Sequence, residues 1–179
     1  MGCGKHDCGC GEGDAMAMMN TMAELAAPDQ AHQLLTPFVG AWNAEVKFWW
    51  EGSDEPHVST GVMLNDWILG GRWIEQRYRS DDGLFAGMGL MGYNKTTGKF
   101  EGLWIDSAST MMQFETGDHN PSSNTFEMTS QMLCPQTRVP LLKRSVLRVQ
   151  SNDRHTMESY FKSATGPEQK TMEITFVRR

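Results

Sequence analysis

From Ala41 the chain alternates with a period of two: Trp42, Ala44, Val46, Phe48 and Trp50 fall on one face, and Asn43, Glu45 and Lys47 on the other. That spacing predicts a strand with one buried side, because successive β residues point to opposite faces of a sheet. Further strands are predicted over Val58 to Leu69, Arg72 to Arg79, Leu84 to Tyr93, Lys99 to Asp106 and Ser109 to Thr116. Four more follow over Thr125 to Leu133, Leu141 to Gln150, His155 to Ser163 and Thr171 to Arg178. Turn chemistry separates them, in E-G-S-D-E-P, G-G, D-D-G, N-K-T-T-G, D-H-N-P-S-S-N, S-N-D and T-G-P-E. About ten strands in sequence order form a meander, and closing it removes both unpaired edges. The expected fold is therefore mainly β, a single antiparallel barrel wide enough for one small ligand.

The pattern changes near residue 27. Residues 1–27 read as a glycine-rich, cysteine-rich tail followed by a methionine-rich helix in which Met18, Met22 and Leu25 share a face. Pro28 closes that helix, and residues 28–179 form the barrel domain. Asp29 is placed to cap a second short helix, Gln30 to Leu35, whose Leu34 and Leu35 could plug one end of the barrel.

Composition narrows the function classes. The 179 residues suit one domain, and 16 basic against 22 acidic residues give a net charge of -6, the wrong sign for tracking phosphates. Nucleic acid is not expected as a partner. No run approaches the length of a membrane helix and the N-terminus lacks a secretory core, so a cytoplasmic protein without membrane contact is expected. Three of the four cysteines crowd into the first ten residues, unlike a disulfide framework, and are expected to be thiols. Self-association is left open.

Four motifs in order, Phe38 to Trp42 (F-V-G-A-W), Trp67 to Trp73 (W-I-L-G-G-R-W), Gly92-Tyr93-Asn94 and Trp104 to Thr110 (W-I-D-S-A-S-T), resemble the DUF1579 family, a bacterial domain of unknown function. The resemblance spans roughly residues 32–178 and leaves the cysteine-rich tail outside. It implies a calycin-like barrel, similar to lipocalins and the haem-binding nitrobindins, and it transfers no catalytic residues. Gly40-Ala41-Trp42 is similar to the lipocalin G-x-W, whose tryptophan closes the barrel floor beneath an arginine from near the domain's end; Arg178 could take that role.

Three kinds of chemistry are open. A small apolar or amphipathic ligand in the barrel would have Trp42, Trp73, Tyr93 and Trp104 as walls, Arg72 or Arg77 as a polar anchor, and Asp106 beside Trp104. Fourteen methionines could mould such a cavity, or simply fill it. Two registries compete on the third strand: Trp73, Glu75 and Arg77 inward, or Ile74 and Tyr78 inward with the charges in solvent. Arg72 could equally form a structural ion pair with Asp66 or Asp106. The second chemistry is metal handling, since Cys3, His6, Cys8 and Cys10 put four donors within eight residues, suited to Zn(II) or Cu(I). Their spacing is not that of a paired knuckle, and the alternative is an incidental thiol cluster. The third is an enzyme using an inward, desolvated Asp106 or Glu75. His155 is in phase with Met157 and Phe161 and could ligate haem at a barrel mouth, but it also reads as a turn residue, and haem is not expected. The sequence carries no nucleophile elbow, phosphate loop, dinucleotide fingerprint or H-E-x-x-H.

Overall fold

A computed structural model describes residues 12–134, 137–164 and 166–179, without the side chains of 12–14. The strands are β1 (Gly40–Phe48), β2 (His57–Ile68), β3 (Trp73–Ser80), β4 (Ala86–Asn94), β5 (Lys99–Asp106), β6 (Gln113–Asn120), β7 (Thr125–Leu133), β8 (Pro140–Ser151), β9 (Arg154–Ser163) and β10 (Gln169–Arg178). They close into a ten-stranded antiparallel barrel in sequence order, with β10 returning to pair with β1. Closure leaves no strand edge unpaired, as the meander predicts. The one large departure is β6, which begins four residues later than the expected start at Ser109 and takes in Asp118, His119 and Asn120 from a segment that reads as turn.

Two helices precede the barrel, α1 (Glu12–Ala26) and α2 (Gln30–Gln33), followed by a 3-10 turn at Thr36–Phe38. The Asp29 carboxylate accepts from the Ala31 N–H, while the His32 ring accepts from the Asp29 N–H, a reciprocal cap. That cap turns Leu35 and Phe38 into the barrel end, where they are 0% and 2% exposed. Each contributes roughly 1.5–3 kcal/mol of apolar burial. Leu34, expected to share the plug, is the C-cap of α2 and is 40% exposed. On α1, Met16, Met18, Met19, Met22 and Leu25 are all exposed, so its methionines do not pack on the barrel.

The plug is fastened by one carbonyl and one guanidinium. The Phe38 carbonyl accepts from Trp42 Nε1 and from Asn65 Nδ2, both at 2.8 Å. Arg178, directly opposite Trp42, lies 4.1 Å over its ring and donates to the Val39 and Pro37 carbonyls. The tryptophan–arginine pair implied by the G-x-W likeness is thus present. Gly40, at φ +128°, must lack a side chain because the Arg178 guanidinium occupies that position.

Candidate functional site

The interior is packed unevenly. Along β1 the inward residues pass from buried Trp42 and Ala44 to half-buried Val46 and Phe48. The same gradient runs along β7, from buried Phe126 and Met128 to half-buried Ser130 and Met132, and along β10, from Phe176 and Ile174 to Met172. On β5, Phe100 is buried while Gly102 and Trp104 are half-buried. Inward side chains are thus buried towards the plug and half-buried towards the opposite end, and the space beside the latter is called the recess below.

Its wall mixes apolar and polar groups. Val46, Phe85, Trp104, Met157 and Met172 pack beside the buried cluster of Trp42, Met63 and Tyr78. Trp104 lies flat on β4, in the space that Gly87 and Gly89 leave free. Its Nε1 donates to Asp106 Oδ2 at 3.1 Å, and Asp106 Oδ1 accepts from the Ala108 N–H, so this carboxylate secures the turn after β5. Glu115 and Lys143 form an inward ion pair, Nζ to Oε1 2.5 Å, with side chains 16% and 11% exposed. Lys143 also donates to Gln113 Oε1, and Ser145 Oγ donates to Glu115 Oε1. Among the described residues the hydroxyls of Tyr78 and Ser159 are buried without a hydrogen-bond partner, as are Asn65 Oδ1 and His155 Nδ1 at the packed end. An unpaired buried hydroxyl costs about 1–3 kcal/mol.

The sequence-derived site residues are scattered by this geometry. Trp104 and Asp106 are half-buried in the inward phase of β5, at the end opposite the plug. Trp42 and Tyr93 face inward too, but lie in the packed end, Tyr93 against Phe100 and His32. On β3 the register puts Ile74 and Tyr78 inside, at 0% and 8% exposure, so Trp73, Glu75 and Arg77 face outward. Arg77 pairs there with Asp66 at 3.0 Å and Glu75 at 3.5 Å. Among the described residues Arg72 meets no carboxylate; it donates to the carbonyls of Ala26 and Leu69, tying the end of α1 to the β2–β3 hairpin. Trp73, Arg72 and Arg77 therefore cannot serve as interior wall or anchor.

His155 is neither at a mouth nor in a turn. It is 4% exposed at the packed end, stacked on Phe176 at 4.4 Å and met edge-on by Trp42 at 4.3 Å and Phe38 at 5.0 Å. Burial, assisted by the Arg178 charge, lowers its pKa to about 3, so the ring is neutral at physiological pH. A haem could reach it only by displacing the three rings.

A family model described as a protein of unknown function, DUF1579, matches residues 27–178. The chain belongs to the DUF1579 family. Among solved structures, this DUF1579 chain is similar to the crystal structure of Rv2717c from M. tuberculosis. The TM-score is 0.62 at 16% identity, over 86% of this chain and 99% of that one. At that identity the likeness concerns the fold. No curated protein matches the chain.

On its outer face this DUF1579 barrel carries a groove of about 650 Å³ whose lining includes Leu64, Arg77, Met88 and Ile105 and also reaches Tyr78 and Asp106. It is open to solvent and its Arg77 is already paired, so the interior recess is the stronger candidate. Cys3, His6, Cys8 and Cys10 lie outside the described residues; among the described residues no group of three or more His, Cys, Asp or Glu could hold a metal ion. No helix among them is long and apolar enough to cross a membrane. Glu115, Lys143, Ser145 and Ser159 were not singled out by the sequence. Their only signal is a polar residue at an inward phase of β6, β8 or β9, and it becomes visible once the register is known.

Proposed function

We propose that this protein binds one small molecule, apolar over most of its surface, in the recess opposite the plug. Val46, Phe48, Trp104, Met157 and Met172 would contact its apolar body, and the inward polar side chains of β6, β8 and β9 its polar end. The observation that carries the reading is the pair of buried, unpartnered hydroxyls of Tyr78 and Ser159 on the inner wall. Such a group costs free energy wherever it stays dry, as Asn65 Oδ1 and His155 Nδ1 do at the packed end, whereas in a binding site it is satisfied on occupancy. The half-buried inward side chains of β1, β5, β7 and β10 support an entrance at the same end. Met157 and Met172 flank Ser159, and their unbranched side chains can turn aside at little cost to admit a ligand.

Tryptophan fluorescence tests this directly. Trp104 lies on the recess wall, so titration with the neutral apolar dye Nile red is expected to quench protein emission saturably, with dye emission shifting to the blue. The quenching should fall in Trp104→Phe, which removes the tryptophan beside the proposed site. Dye that binds without quenching Trp104 would move the site to the outer surface and overturn the reading.

A further inference from the structure

Alternation on β6 and β8 puts two ionisable side chains where an ordinary barrel has apolar ones. Glu115 shares the inner face with Gln113 and Gly117, and Lys143 with Leu141 and Ser145. Ser130, opposite Lys143 on β7, is small enough to let the two long side chains meet. Ser159 is the cross-strand partner of Ser145, so the unpartnered hydroxyl stands one strand beyond the hydroxyl that donates to Glu115. Gln113, Glu115, Lys143, Ser145 and Ser159 thus make one polar patch on a wall otherwise built of methionine and aromatic groups. Its net charge is zero.

Stability gives little reason for such a patch, because a buried ion pair is often matched or bettered by apolar side chains of similar size. Recognition gives a better one. The Lys143 ammonium has three N–H bonds and donates to two acceptors, Glu115 Oε1 and Gln113 Oε1. One ammonium proton and the Ser159 hydroxyl remain to donate. An anionic head at this place would add a second negative charge beside Glu115 with one cation to serve both, largely cut off from water. A cationic head would face Lys143. An uncharged oxygen accepts the remaining donors and adds no charge, so it avoids the desolvation cost that either ion meets.

We infer that the recess selects an amphipathic molecule with an uncharged, hydrogen-bond-accepting oxygen head, such as an alcohol, ketone or ester, and rejects the carboxylate of the same chain. This rests on the ligand-binding reading above and adds the chemical class of the head. The contrast with an arginine-anchored acid carrier is direct: the arginines of β3 point outward, and the inward cation already has its carboxylate.

The test uses the full chain at neutral pH, with Nile red bound and displaced in turn by 1-octanol, 2-octanone and octanoate. The alcohol and the ketone are expected to displace dye at concentrations about tenfold or more below octanoate, the scale set by leaving a charge unmatched in a site of low polarity. Octanoate equal to or better than the neutral compounds, with dye still bound, overturns the head assignment and leaves the binding reading standing. Failure of the dye itself to bind overturns both. Glu115→Gln, which frees the Lys143 charge, is expected to improve octanoate about tenfold; an unchanged order of preference would move the head away from this patch. Should that variant not fold, Ser159→Ala serves instead. It is expected to weaken 1-octanol roughly threefold to tenfold with octanoate unmoved, the worth of one hydrogen bond, and equal weakening of both would count against the assignment.

Discussion

The two ends of the barrel are built from the same strands and behave as different materials. At the plugged end Trp42, Phe38, Ile74 and Phe126 are all 2% exposed or less, and Trp42 Nε1 and Asn65 Nδ2 meet at the Phe38 carbonyl, while Asn65 Oδ1 and His155 Nδ1 are buried without a partner among the described residues. At the other end the inward faces of the same strands carry half-buried Phe48, Trp104, Ser130 and Met172, with an ion pair among them. A helical plug and an arginine clamp make one end a core; nothing among the described residues does the same for the other. If the proposed site is right, the fold's stability and its ligand site are held in separate places, so substitutions should sort by end rather than by residue type.

The largest expected effect breaks the packed end. Trp42→Ala removes a fully buried indole, its hydrogen bond to Phe38 and its contact with Arg178, and is expected to cost about 3–5 kcal/mol. Phe48→Ala, on the same face of the same strand six residues on, is expected to cost about 1 kcal/mol, since its ring is already half in solvent. Midpoints of urea unfolding compare the two. Equal losses would mean that the recess is as tightly packed as the core.

His155 sharpens the comparison through pH. Its folded pKa, about 3, lies below the ordinary value of 6.5. At higher pH the ring is neutral in both states and contributes no pH dependence. As pH falls below about 6.5 the unfolded chain takes up a proton that the folded one refuses, so stability declines by about 1.4 kcal/mol per pH unit until the folded ring titrates near 3. His155→Phe, which keeps the aromatic packing, is expected to flatten that part of the stability profile. A profile unchanged by the substitution would show that the ring is not held neutral by the packed end.

The open half predicts a smaller and different signature. Lys143→Met leaves Glu115 without its partner and is expected to cost about 2 kcal/mol, below the range for fully buried pairs because both side chains keep some access to solvent. Adding Glu115→Gln should return most of that loss, and the double variant should be within about 1 kcal/mol of the parent. Additive losses in the unfolding midpoints would place the two side chains outside a common site.

How much of this was legible varies by strand, for a physical reason. Where one face is apolar, as in Trp42, Ala44, Val46 and Phe48, alternation gives both the strand and its inward side. On β3 both faces carry large side chains, so phase alone left Trp73 and Ile74 as rivals, and only pairing with β2 and β4 decides for Ile74. On β6 the polarity is inverted: Phe114 is 65% exposed and Glu115 faces in. Hydrophobic pattern reads that strand backward, which is why its start was misplaced and its carboxylate missed. A charge inside a wall is stabilised by a partner two strands away, and no single segment carries that information.

Arg72 gives the smallest expected effect and the cleanest division between inside and outside. Its guanidinium holds the carbonyls of Ala26 and Leu69 on the outer surface, and Lys95 adds contacts to Glu24 and Ala27 beside it. Arg72→Gln should therefore change global stability by about 0.5 kcal/mol or less, as exposed substitutions usually do. It should leave Nile red affinity unchanged, because the side chain never reaches the recess. What it should alter is the last turn of α1, where amide exchange is expected to quicken severalfold as the tether is lost. Weakened dye binding with unaltered exchange in α1 would reverse the assignment and return Arg72 to the role of ligand anchor that its sequence context suggests.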